Sequence, residues 1–366
     1  MSNTKKLFLF IVMFSLLFSQ GKSLNSAKVY IKDKDWKQAE FFLLKAVEHP
    51  NDKWEAAFHL GDKVYVRSQD WAKVRQYMDI ASTAPEKIKI RPTRNDNRIP
   101  IQTAITASLA RSFQLIYFKA TGYISIINQT VDVEQQYMFI DQAIKTANQA
   151  KTLDPNQPAA HALLGLYHSL KNDKENTINF INQSLTIEGS TDDEMLGLLI
   201  NAGECATRID ELDIASGYLE RALLIDPNDI SVLKAIAAVY VGRDDLDKAL
   251  DIFLRTLEQT DGDQAKADLH FNLGTVYLKK GNPSEAEYHF EETVYLTPED
   301  TEAIFRLART LEESERWRSA LNYYKDLIDM DPNNSAYYKG AYRASFNDGD
   351  PIAANKYLQK SKQLEN

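Results

Sequence analysis

Small residues recur along this chain at an almost constant interval. Ala215, Ala249, Ala286, Ala320 and Ala354 are separated by 34, 37, 34 and 34 residues. Thr177 and Ala143 continue the series towards the N-terminus, with steps of 38 and 34. A period near 34 marks an array of supersecondary units, each unable to bury its apolar face without its neighbours. The ends of the units repeat too. "LERALLIDPND" (219–229), "FEETVYLTPED" (290–300) and "YYKDLIDMDPNN" (323–334) are apolar, helix-like runs that close on Pro. Proline has no N–H to donate, and the residue before it avoids helical angles, so each ending predicts a helix stop.

A second set of positions lies twelve residues before the first: Gly165, Gly203, Ala237, Gly274 and Ala308. Three residues further on stand His168, Tyr240, Tyr277 and Leu311, with Ala206 the exception. Residues 271–300 show the whole pattern: Gly274, Tyr277, a Gly281-Asn282-Pro283 turn, Ala286, Phe290 and Pro298. On these residues the chain resembles the tetratricopeptide repeat family over about 22–362, most clearly from 157 onward. The resemblance implies an all-α, right-handed α-solenoid of antiparallel helix hairpins. The small residues would let helices A and B approach, and Phe253, Phe290 and Tyr324 would fill the space from helix B.

Residues 1–21 read as a signal peptide. Lys5 and Lys6 precede an unbroken apolar run from Leu7 to Phe18, with small Ser19 and Gly21 after it. That run is shorter than the ~20 residues of a membrane-spanning helix. The expectation is export to the periplasm, the cell envelope or the exterior, with a retained N-terminal anchor as the alternative. Residues 22–85 read as two repeat-like units, and 86–100 as a basic, Pro-containing loop. Residues 101–156 read as a hairpin with lengthened helices, 157–334 as five repeats, and 335–366 as a last unit with a capping helix.

The charge is uneven. Residues 22–150 carry 19 Lys and Arg against 14 Asp and Glu, whereas 151–366 carry 22 against 38. An acidic surface of this extent repels phosphate backbones, so nucleic acid is not an expected partner. The single Cys205 permits neither an intramolecular disulfide nor a zinc site built on cysteines. No Gly-rich phosphate loop, His-Glu-x-x-His or Gly-x-Ser-x-Gly occurs. His161 and His168 are seven apart, where a metal pair on one helix prefers three or four, and both fall on packing positions with His270. The chain reads as non-catalytic, with no metal site and no cofactor.

Binding remains. The repeat register places Phe271, Phe305, Arg309, Lys339 and Arg343 on the inner faces of successive A helices. Apolar rings beside cations suit an acidic peptide segment or protein partner. A known subtype of the family grips a terminal carboxylate with three elements. Only Lys339 and Arg343 match one of them, so the resemblance does not carry that function. The loop supplies a second candidate surface in Lys87, Lys89, Arg91, Arg94 and Arg98, suited to an acidic partner or to peripheral contact with anionic lipid. Two roles therefore stand open: a scaffold binding partners in its groove, and a structural subunit of an envelope or secretion assembly held through its convex face and residues 86–128.

Overall fold

A computed structural model describes residues 22–93 and 96–365; the signal-like segment 1–21, Arg94, Asn95 and Asn366 lie outside the described residues. Among those described, eighteen helices pair into nine antiparallel hairpins. The chain divides into two compact units, and the division after Ser190 falls within the run 157–334.

The first unit opens with α1 (Lys22–Asp33) and α2 (Trp36–Val47). Helix α3 begins as Lys53–His59, loosens into a π-helical stretch over Leu60–Tyr65, and ends at Val66–Ser68 before α4 (Trp71–Ser82). The basic segment that follows is a loop closed by two short antiparallel strands, β1 (Lys89–Ile90) and β2 (Ile99–Pro100), paired Lys89 to Pro100 and Ile90 to Ile99. Ile90 is the residue that fastens it, being 1% exposed in the core. Then come α5 (Ile101–Gln129) with α6 (Val133–Leu153), and α7 (Pro158–Leu170) with α8 (Lys174–Thr186).

Helix α5 is long because it serves two cores. Its first half sends Ile101, Ala104, Ile105 and Ile116 against Phe58, Met78 and Ala81 of the preceding hairpin. Its second half sends Ala120 and Ile127 against Ile140, Ala143 and Ala147 of α6 and Leu164 and Tyr167 of α7. At about 1.5 Å per residue its 29 residues extend roughly 44 Å. Asp62 ties α5 to α3 by accepting from Ser108 Oγ at 2.5 Å and pairing with Arg111 at 3.3 Å.

The second unit holds five hairpins: α9 (Asp192–Arg208) with α10 (Leu212–Ile225), α11 (Ile230–Gly242) with α12 (Leu246–Gln259), α13 (Asp263–Lys279) with α14 (Pro283–Leu296), α15 (Thr301–Glu313) with α16 (Trp317–Met330), and α17 (Ser335–Asn347) with α18 (Pro351–Glu365). The periodic small residues are where the sequence pattern requires them. Ala143, Thr177, Ala215, Ala249, Ala286 and Ala320 are fully buried, and Ala354 is 1% exposed. At the crossings a glycine faces a large side chain of the partner helix. A Cβ added to Gly274 would lie 2.9 Å from the Phe290 ring, one on Gly203 would lie 2.6 Å from Leu219 Cγ, and one on Gly165 would lie 3.1 Å from Ile181 Cγ1. Gly340 meets the Tyr324 ring more closely still. Full burial of a ring such as Phe290 stabilises by roughly 1.5–3 kcal/mol, and the contact exists only because the glycine leaves room.

The turns between paired helices share one backbone device. In eight of the nine hairpins a residue with φ between +55° and +90° follows helix A: Lys34, Gln69, Asn172, Asp210, Asp244, Gly281, Glu315 and Gly349. Its N–H bonds three residues back, and the next N–H bonds five residues back, as from Lys34 to Ile31 O and from Asp35 to Tyr30 O. This is a Schellman closure, which satisfies two orphan carbonyls at the helix end. The residue after the left-handed one then opens helix B, and at Asp35, Asp70, Asp173 and Asp350 its carboxylate accepts an N–H of the first turn.

Two stability measurements check this account. Gly274→Leu forces the ring of Phe290 out of place and costs ~1–3 kcal/mol of stability, read as a lower denaturation midpoint. An unchanged midpoint would contradict the helix register. At the turns, Gly349→Ala costs about 1 kcal/mol and Glu315→Gly gains a similar amount. Gly349 has open space where the Cβ would go, so only backbone conformation is being measured.

Candidate interaction surface

Phe271 and Phe305 stand 34 residues apart on α13 and α15, and both are half-buried. Phe271 meets Phe290 edge-on at 5.7 Å. Phe305 meets Tyr324 edge-on at 6.1 Å and Tyr337 at 5.8 Å. Each ring is thus one face core and one face surface, which leaves an apolar strip along the A helices of the second unit.

The cations beside that strip are partnered within the chain. Arg343 donates from Nε to Glu312 Oε1 at 3.1 Å and from Nη2 to Glu312 Oε2 at 2.8 Å. Tyr324 Oη donates to Glu312 Oε2 at 3.0 Å. Glu312 is 8% exposed. Its hydrogen bonds hold the Arg343 guanidinium above its ordinary range, and burial followed by the carboxylate's charge pushes the Tyr324 phenol up. Arg309 is half exposed and only grazes Glu312 and Glu313, at 3.8 and 3.9 Å. Lys339, also half exposed, pairs with Glu365 near the C-terminal end. Of the three cations, Arg343 is committed to a buried carboxylate, while Arg309 and Lys339 keep surface to offer. Sequence reasoning missed Glu312, although a signal existed. The repeat register puts this acid where other units carry Leu278 and Val241.

The basic segment is split by its own hairpin. Lys87 and Lys89 are exposed. Arg91 and Arg98 turn towards α1 and α3, where with Lys28, Lys32, Lys63 and His59 they line a cleft of about 690 Å³. Arg94 lies outside the described residues. His59 is the second residue missed: it occupies the register of exposed Asn272 and Arg306, yet is 5% exposed.

His161 and His168 take packing roles. His161 Nε2 is 2.9 Å from Pro155 O, His168 Nδ1 is 2.9 Å from Asp173 Oδ2, and both rings contact Phe180. Cys205 is buried, its Sγ 3.8 Å from Asn201 Oδ1. Among the described residues no group of three or more His, Cys, Asp or Glu is arranged to hold a metal, and no helix is long and apolar enough to cross a membrane.

Family profiles described as tetratricopeptide repeat match residues 228–295 and 277–344. The TPR repeat-containing protein YpiA of Bacillus subtilis (strain 168) is 23% identical over 195 residues, 53% of this chain and 44% of that protein. Anaphase-promoting complex subunit 3 of Schizosaccharomyces pombe is 23% identical over 190 residues, 52% of this chain and 28% of that protein. The chain therefore spans less than half the length of these relatives. Among solved structures, YrrB, described as a TPR protein with an unusual peptide-binding site, has a TM-score of 0.41 at 24% identity, covering 46% of this chain and 85% of that one. MamA from Desulfovibrio magneticus RS-1 has a TM-score of 0.43 at 20% identity, covering 47% and 96%.

One buried pair in the second unit should make stability depend on pH. His270 and His289 are both buried, with their Nδ1 atoms 2.9 Å apart, so one ring donates and the other accepts. Tyr277 stacks on His289 at 5.3 Å. Burial, then the neighbouring His270, lowers His289 to about 4; burial likewise lowers His270. The unfolded chain takes up protons near pH 6.5 that the fold refuses, so stability falls as pH drops from there towards 4. The expected loss is on the order of 1 kcal/mol per pH unit in that window. Urea midpoints at pH 7.5 and 5 check it, and His289→Phe should flatten the difference.

Proposed function

The chain is a tetratricopeptide-repeat protein, and from that premise we propose that it is an exported, non-catalytic scaffold that binds a peptide segment or protein partner along the A-helix faces of its second unit. Proteins of this repeat family serve as protein-interaction scaffolds. The observation that carries the finer reading is the strip formed by Phe271 and Phe305, flanked by the half-exposed cations Arg309 and Lys339. An acidic segment would set its apolar side chains on the rings and its carboxylates against the cations, whose present partners, at 3.8 Å or more for Arg309 and on an exposed carboxylate for Lys339, are readily exchanged. Export rests on the layout of residues 1–21, with a periplasmic, envelope or extracellular destination.

A second reading has its own observation. Leu115 and Phe118 of α5 are 61% and 69% exposed. Exposed apolar side chains of this size favour a structural subunit of an envelope or secretion assembly, held through its convex face and the 86–128 region.

One experiment separates the two. The chain is cross-linked in its native cells beside two double variants, Arg309→Ala with Lys339→Ala and Leu115→Ser with Phe118→Ser. Arg343 is left intact, because its loss would strand the buried Glu312 and cost stability directly. A partner lost only by the first variant supports the strip. A partner lost only by the second replaces it with the assembly role, and retention by both removes both readings.

A further inference from the structure

The cleft between α1, α3 and the strand-closed basic segment joins faces of two A helices to a loop that lies outside the repeat pattern. Five cations line it from three separate parts of the chain: Lys28 and Lys32 of α1, Lys63 of α3, and Arg91 and Arg98 of the loop. A single lining carboxylate, Glu55, accompanies them and pairs with Lys28 at 2.7 Å. Lys63 pairs with Asp62 at 2.6 Å. Among the described residues, Lys32, Arg91 and Arg98 have no ion-pair partner. Like charges gathered without counter-charges repel one another, and a ligand of opposite sign relieves this.

A second, independent observation is His59. Its side chain is 6% exposed, and neither ring nitrogen has a hydrogen-bond partner. Its nearest acid, Glu55 Oε1, is 3.8 Å from Nε2, too far for a hydrogen bond. A buried imidazole with both nitrogens unsatisfied is costly, and proteins keep such groups where something else satisfies them. His59 also borders the π-helical stretch Leu60–Tyr65, a backbone irregularity that recurs at functional sites.

We propose that this cleft is a docking site for an acidic peptide segment that lies extended, with two or more carboxylates flanking an apolar side chain. The dimensions favour a short stretch of chain. Glu55, His59 and Lys63 follow one another at four-residue steps, so the floor runs about 12 Å, the length of about four extended residues. The walls favour a peptide over a bare anion. Val29, Ile31 and Pro92 form apolar lining that inorganic phosphate would leave unused. Lys32, Arg91 and Arg98 take the carboxylates, the two guanidiniums in forked pairs. The buried position of His59 excludes a flat membrane surface from the floor.

The test selects binders from phage-displayed random heptapeptides on the full chain, then measures one recovered peptide by fluorescence anisotropy. Recovered sequences should be enriched in Asp and Glu around an apolar residue. Affinity should fall at least tenfold in Arg91→Ala with Arg98→Ala and in Lys32→Glu, with unchanged melting temperatures. His59→Leu should weaken the peptide while raising the melting temperature, because it removes a buried unsatisfied ring. Inorganic phosphate at equal concentration should not displace the peptide. Absence of acidic enrichment, binding indifferent to the two arginines, or displacement by phosphate would each overturn the proposal.

Discussion

The contact of a small residue on one helix with a large side chain on the next is the constraint that organises each hairpin. Phe290 can be fully buried only because Gly274 has no Cβ, and Leu219 only because Gly203 has none. The contact sets the distance between helices A and B. Once that distance is fixed, the buried alanines at 215, 249, 286 and 320 have a partner surface, and the outward positions become free for other uses. The remaining faces, such as the outer sides of Phe271 and Phe305, are left free of that packing constraint.

The helix pairing was legible in the sequence because close packing tolerates few residue types at a crossing. The turn device was not. Its left-handed position holds Lys34, Gln69, Asn172, Asp210, Asp244, Gly281, Glu315 and Gly349. Two backbone hydrogen bonds offset the strain, so the site accepts almost any polar residue and leaves no signature beyond the asparagines, aspartates and glycines common to turns. The extended length of α5 and α6 could likewise be read from the apolar run. Its cause could not, since the pattern of one helix does not reveal that Ile105 and Ile127 belong to different cores. The strand pair of the basic segment escaped notice because Ile90 is its only deeply buried anchor and two residues make no periodicity.

Charge was the least legible property, because a sequence shows how many ions there are and not which ones are matched. Arg343 reads as an available cation at an inward position. In the fold it neutralises Glu312, a carboxylate buried where two sister units carry Val241 and Leu278, and Tyr324 completes the set. Removing the arginine would leave an acid in the interior, so its loss acts on stability before it acts on any ligand. Arg91 and Arg98 read as a loop's ordinary solvated charge. In the fold they join Lys32 across a cleft whose floor holds an unsatisfied histidine. The two clusters have similar composition and opposite character: one is closed on itself, and the other is open. That difference comes from contacts between separate helices, such as Arg343 with Glu312, which no local pattern contains. It also singles out the N-terminal cleft, where Lys32, Arg91 and Arg98 have no ion-pair partner among the described residues.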